Sequence, residues 1–219
     1  MDQTVLKSPA GVRAGRPTRE QAEQRHAELL DHALEMFLER GYELATMEAI
    51  AASVGMAKRT VYARYEDKAA LFRATVQRAI ERYTVSVESL KVAETNDVEE
   101  TLINLARMRV AHVMSPAGMR LQRILNTESY RFPEILTWTF EQGAKPMIDY
   151  LAQVLRRFTA EGIIDIDEPE RTATVFLSMV VGGPTRIIAS GNTIGQDDLE
   201  SRIRFSVRLF LKGALTRKH

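Results

Sequence analysis

A short stretch over 46–68 constrains the fold of this chain more than any other. It reads TMEAIAASVGMAKRTVYARYEDK. Thr46 is a suitable N-cap, and Ile50 contributes to a small apolar helix face. Gly55 follows where the chain must turn sharply, because glycine adopts positive φ without steric cost. The spacing predicts a helix-turn-helix whose second helix covers about 57–65.

The predicted second helix has a face rich in cations and hydroxyls. No acid stands between Val54 and Tyr65. Such side chains donate hydrogen bonds to phosphates and to base edges in the major groove of DNA. The helix is therefore a candidate recognition helix, and the alternative is a solvated basic face. The polar side chains are Lys58, Arg59, Thr60, Tyr62, Arg64 and Tyr65.

The order of residues over 46–68 resembles that of the TetR family of bacterial transcriptional regulators. Many members carry an acid, a serine and a glycine where this chain has Ala49, Ala57 and Arg59. The loss of two capping groups costs each helix about 0.5–2 kcal/mol, which tertiary packing can supply. The matched positions are Thr46, Ile50, Ala51, Val54, Gly55, Thr60, Tyr62, Tyr65 and Lys68.

The resemblance implies a homodimer that binds a palindromic double-stranded operator. Two recognition helices would enter successive major grooves about 34–36 Å apart. We predict base contacts for Lys58, Arg59 and Arg64, with guanine preferred by the forked guanidinium of Arg59. Phosphate contacts are predicted for Thr46, Thr60, Tyr62, Tyr65 and Lys68.

Composition limits the other possibilities. The 219 residues are 45% hydrophobic and 27% charged with a net charge of +1, so any affinity for DNA must come from local cations. There is no cysteine, which excludes disulfides and thiolate metal sites. No apolar run approaches the roughly 18 residues of a membrane span, and no signal peptide is evident. We expect a cytoplasmic protein.

The first 17 residues have no sustained periodicity and contain two prolines and two glycines. Arg13 and Arg16 could form a basic arm that reaches a minor groove or a phosphate. A solubilising tail is the alternative.

Apolar spacing along the rest of the chain predicts an all-α fold of about nine helices. The first covers about 18–39, and the head with its helix-turn-helix covers 18–68. A long fourth helix, about 68–92, links this head to a helical body over 93–219 that binds an effector and a second subunit. Five body helices are expected over about 97–114, 119–130, 133–160, 168–190 and 196–215.

The last two predicted helices carry many apolar residues, and the final one is apolar on more than one side, which favours a twofold partner. The alternative is that both faces are covered within one chain. The residues predicted for the dimer interface are Phe176, Val180, Gly183, Ile187, Ile203 and Phe210.

Methionines and aromatics in the body could form an adaptable, largely apolar ligand pocket, with a few polar groups to orient the ligand. Each of them could equally be ordinary core. The candidates are Met108, Arg109, His112, Leu125, Asn126, Glu128, Tyr130, Trp138 and Phe140.

An enzyme is the main alternative from another class, since helical bundles hold di-metal sites built from Glu-x-x-His pairs. Glu23-x-x-His26 is the only such pair, so we expect no catalytic site, no metal and no cofactor. The sequence therefore predicts a sequence-specific dimeric repressor that a small-molecule ligand releases from DNA. A ligand-independent architectural protein or an activator would have the same head.

Overall fold

The computed structural model describes residues 18–214, and the predicted arm with Arg13 and Arg16 lies outside them. The described residues form eleven α-helices and one π-helical segment without an extended β-strand, which confirms the all-α prediction. The helices are α1 (Arg19–Leu44), α2 (Met47–Ser53), α3 (Lys58–Tyr62), α4 (Lys68–Arg82), α5 (Val87–Val92), α6 (Val98–Met114), α7 (Pro116–Glu128), α8 (Glu134–Trp138), the π-helical segment (Thr139–Ala144), α9 (Lys145–Ala160), α10 (Pro169–Ala189) and α11 (Gln196–Ala214).

Side-chain caps set several helix starts. The predicted cap at Thr46 is confirmed, and Asp67 and Asp97 cap their helices in the same way, each accepting a hydrogen bond from the backbone N–H three residues later. The pattern Asp167-x-x-Glu170 is typical of a capping box, but α10 begins at Pro169 behind Glu168, whose side chain makes no capping hydrogen bond.

The predicted linking helix over 68–92 is not continuous. It ends at Arg82, and Ser86 starts the separate helix α5 by accepting a hydrogen bond from the Ser89 N–H at 3.2 Å. The apolar row that suggested one helix therefore passes through a break. The serine hydroxyl accepts hydrogen bonds from backbone N–H groups and favours N-cap positions, so Ser86 begins a separate helix.

The predicted helix over 133–160 is interrupted as expected from Pro146. The interruption is the π-helical segment Thr139–Ala144, and Pro146 lies in the first turn of α9. A proline is tolerated there because the first helical N–H groups have no intrahelical acceptor. The nine predicted helices thus correspond to the observed ones, with two of them divided.

Two apolar cores hold these helices together. The first joins α1–α4 with α7 and α8, and the second joins α5, α6 and α9–α11. The division does not follow the predicted boundary near residue 93. Five buried side chains from beyond that boundary belong to the core of the head: Leu121, Ile124, Leu125, Phe132 and Ile135.

Candidate nucleic-acid interface and helical body

The helix-turn-helix is formed by α2, a turn and α3. Gly55 occupies the turn with φ of +62°, which explains the need for glycine. Ile50 and Val61 are buried and anchor the two helices on the head core. The recognition helix is shorter than predicted, because α3 ends at Tyr62, and Ala57 provides no side-chain cap.

The three predicted base-contact residues are all exposed. Lys58, however, forms an ion pair with Glu48 of α2, and the Tyr62 hydroxyl donates to the same carboxylate at 3.3 Å. The hydrogen bond between Lys58 and Glu48 lowers the pKa of Glu48 and raises that of Lys58. Glu48 was not predicted as part of the site, although it is the single acid of α2. Arg59 and Arg64 complete the exposed cationic face.

Two of the five predicted phosphate contacts form hydrogen bonds within the head. Tyr65 is buried, and its hydroxyl hydrogen-bonds to the Nε2 of His26. The phosphate role predicted for Tyr65 is therefore corrected. The Lys68 ammonium is partly exposed and donates to the carbonyls of Tyr42 and Glu43 at 2.8 and 3.1 Å, and its phosphate role stays a prediction.

The other three predicted phosphate contacts, Thr46, Thr60 and Tyr62, are exposed. The Thr46 hydroxyl caps α2, and its position at a helix N-terminus suits a nearby phosphate. The arrangement thus combines an exposed cationic helix with hydroxyls around it, as expected for a surface that binds DNA in a groove.

Comparison with known proteins identifies the family. Residues 29–75 match the profile described as bacterial regulatory proteins, tetR family, and residues 100–213 match the AefR-like transcriptional repressor C-terminal domain. The second match alone covers more than half of the chain. The chain belongs to the TetR family. Both descriptions are of regulatory proteins rather than enzymes.

Individual relatives agree with this assignment. The transcriptional repressor ComR of Escherichia coli K12 is 33% identical over 73 residues, which are 33% of this chain and 35% of ComR. A TetR-family structure from Mesorhizobium loti is 25% identical with a TM-score of 0.77, over 91% of this chain and 100% of that one. The flavonoid-responsive regulator FrrA is 28% identical with a TM-score of 0.70, over 90% and 100% of the two chains.

The alignments with curated sequences are shorter than those with structures. This TetR-family chain spans 35% to 61% of the length of the first five curated relatives that it matches. The solved structures therefore provide the comparison over nearly the whole chain.

The predicted ligand residues do not converge on one place in this TetR-family body. Tyr130 is 99% exposed and Phe140 is 47% exposed, so neither lines an interior pocket. Asn126 lines an open cavity between α1 and α7, away from the other candidates, while Leu125 and Trp138 pack with the core of the head. The pocket role predicted for Leu125, Tyr130, Trp138 and Phe140 is corrected. Glu128 is partly buried at the end of α7.

The remaining three candidates, Met108, Arg109 and His112, lie together on α6. The His112 ring stacks on that of Tyr83, with centroids 3.7 Å apart and planes 19° from parallel. Tyr83 was not predicted here, because it lies within the range expected for the linking helix over 68–92. Its hydroxyl donates to the His112 carbonyl at 2.6 Å, and burial raises the Tyr83 pKa to about 12.

The predicted dimer residues face mostly inward. Phe176, Val180 and Ile203 are at most 3% exposed in the single chain, and Phe210 packs on Phe176 with ring centroids 5.0 Å apart. The interface role predicted for Phe176, Val180 and Ile203 is corrected, because they belong to the second core. Phe210 is partly buried and packs against that core, so its interface role stays a prediction. Gly183 is exposed, and Ile187 is partly buried.

Other apolar side chains of α10 and α11 remain uncovered. Val175, Phe205 and Leu209 are 60%, 61% and 52% exposed. By length and composition α10 could also span a membrane, but part of it packs in the second core, as core helices of soluble proteins do. We call Val175, Phe205 and Leu209 the outer apolar face.

Proposed function

We propose that this protein is a homodimeric, cytoplasmic repressor that binds a palindromic operator and leaves it when a small molecule binds the body. The observation that carries the proposal is the exposed cationic face of α3 on a helix-turn-helix whose turn and anchors are in place. The AefR-like repressor profile supports the direction of regulation, and the similarity to FrrA, a flavonoid-responsive regulator, supports a response to a small molecule.

On DNA, Arg59 and Arg64 read base edges, and Lys58 exchanges Glu48 for a base or a phosphate. Exposed ion pairs contribute little to stability, so breaking the pair between Lys58 and Glu48 costs little free energy. Glu48 then holds Lys58 and Tyr62 in place before DNA arrives, which reduces the entropy lost on binding. The phosphate contacts come from Thr46, Thr60 and Tyr62.

The second subunit covers the outer apolar face. Val175 and Leu209 adjoin Phe176 and Phe210, whose rings touch, so they lie at the same level of the α10–α11 pair. Contiguous apolar side chains of this size that stay exposed indicate a protein partner. A twofold axis through this face relates the two heads, so that both present the same recognition helix to the two half-sites of a palindrome.

The test is fluorescence anisotropy at fixed, near-physiological salt. A labelled duplex from beside the protein's own gene is compared with a scrambled duplex of the same length. Selective tight binding to the first supports the proposal. Equal weak binding to both would favour an architectural protein, and no binding would refute the DNA-binding role. Transcription from the bound promoter then separates a repressor from an activator.

A further inference from the structure

Arg109 is a cation without an anion. Burial lowers the pKa of its guanidinium, and among residues 18–214 no carboxylate or other acceptor pairs with it. Two other partly buried arginines of the body differ, since Arg107 pairs with Glu200 and Arg157 pairs with Glu94. A partly desolvated cation without a partner costs stability. An anion supplied from outside the chain would offset that cost.

His112 provides a second unsatisfied group one turn further along the same face of α6. Its Nε2 is fully buried and has no hydrogen-bond partner within the described part of the chain. The stack on Tyr83 fixes the ring plane. Gly118 makes this packing possible, because a Cβ there would lie 2.3 Å from the Tyr83 hydroxyl. The histidine is therefore held rigidly with one polar atom unused.

We propose that Arg109 and His112 form an anion subsite of the effector site, and that the effector is an apolar molecule carrying an anionic oxygen group. The proposal rests on the proposed ligand-responsive function. Arg109 donates to the anionic oxygens, and the Nε2 of His112 makes one further hydrogen bond. Met108 and Met114, which pack against the second core from the same helix, suit an apolar ligand body.

The subsite is also connected to the DNA head. Tyr83 is the C-cap of α4, and the N-terminal residue of that helix, Lys68, holds the end of α1. A ligand that bonds to His112 therefore changes the packing at one end of α4, while the other end supports the head. This is the differential contact that a ligand needs in order to shift a conformational equilibrium.

Two dyes with the same apolar body test the charge requirement. The anionic probe is 8-anilinonaphthalene-1-sulfonate, and the neutral probe is N-phenyl-1-naphthylamine. We expect Arg109→Met to raise the Kd of the anionic dye about tenfold or more, since a hydrogen bond to a charged group is lost, and to change that of the neutral dye less than about twofold. The matched control Arg107→Met should change neither Kd.

Three results would overturn the subsite: no binding of the anionic dye to the wild type, an unchanged Kd in Arg109→Met, or equal weakening of both dyes. Thermal unfolding without dye gives an independent readout. Arg109→Met should unfold at a higher temperature than the wild type, because an unpaired cation is removed, whereas a lower temperature would indicate a structural arginine and overturn the proposal. If Arg109→Met fails to fold, Arg109→Gln is used for both measurements.

Operator binding is measured separately on the dye-free proteins, so that the two proposals fail in different ways. A wild type that binds the anionic dye through Arg109 but binds no DNA would refute the proposed function and leave the subsite intact. Operator binding by a wild type whose dye binding does not depend on Arg109 would refute the subsite and leave the proposed DNA-binding function intact.

Discussion

Phe132 offers the strongest test of how the head is built. It follows α7, far from the helix-turn-helix in sequence, yet it is 3% exposed and packs in the head core. Its ring centroid lies 4.6 Å from that of Phe72 and 5.0 Å from that of Tyr42. The guanidinium of Arg73 lies 5.3 Å from the ring centroid. Phe132→Ala should therefore cost about 3–5 kcal/mol of unfolding free energy.

The matched control is Phe140→Ala, eight residues later, where the side chain is 47% exposed. We expect a loss of about 1 kcal/mol or less there, because only part of the apolar surface is removed from water. At roughly 2–4 °C per kcal/mol, Phe132→Ala should lower the thermal midpoint by about 6–20 °C.

The assay is urea unfolding followed by circular dichroism and by tryptophan fluorescence. Trp138 is the single tryptophan, and it packs against the head core, so its emission reports on this junction. The two signals should change together in the wild type if head and body unfold as one unit. Equal losses of unfolding free energy in Phe132→Ala and Phe140→Ala would refute the placement of Phe132 in the core of the head.

Four further predictions concern single residues. Arg59→Ala should relax base preference at one position per half-site by about 1–3 kcal/mol, measured by binding to a set of singly substituted operators. Lys68→Met should lower the stability of the head, seen in thermal unfolding, because two charge-assisted hydrogen bonds to carbonyls are lost. Phe205→Asp should give a monomer on a sizing column with native helix content, and a dimer of unchanged strength would contradict the outer apolar face. Burial, with a smaller contribution from Arg109, lowers the pKa of His112 to about 4, so between that value and 6.5 the unfolded chain binds a proton that the folded chain does not. Stability should therefore fall by about 2 kcal/mol from pH 7 to pH 5, and His112→Phe should remove this part of the slope in pH-dependent unfolding.

The features that sequence reasoning predicted well depend on local rules. The turn at Gly55 and the cap at Thr46 need only backbone geometry and a neighbouring N–H, so a few residues specify them. The roles of Tyr65 and Lys68 could not be predicted in the same way. Their partners, His26 and the carbonyl of Tyr42, are 39 and 26 residues away, and no local pattern reports such contacts.

The choice of dimer-interface residues failed for a related reason. Periodicity shows how many sides of a helix are apolar, but it does not show which side the same chain covers. In α10, Phe176 is buried while its neighbour Val175 is 60% exposed. The side of α10 that stays uncovered could therefore be found only from the packed structure.

The position of Phe132 changes the account of how a ligand signal reaches DNA. If α4 were the single connection, the head would pivot on one helix. Instead, α7 and α8 complete the head core, and ion pairs join Glu35 of α1 to Arg120 and Arg73 of α4 to Glu134. Interiors this tightly packed do not deform continuously. In the proposed ligand response we therefore expect a displacement of α7 or α8 to move α1 and α4 together, so that the head reorients as one body and the spacing of the two recognition helices changes.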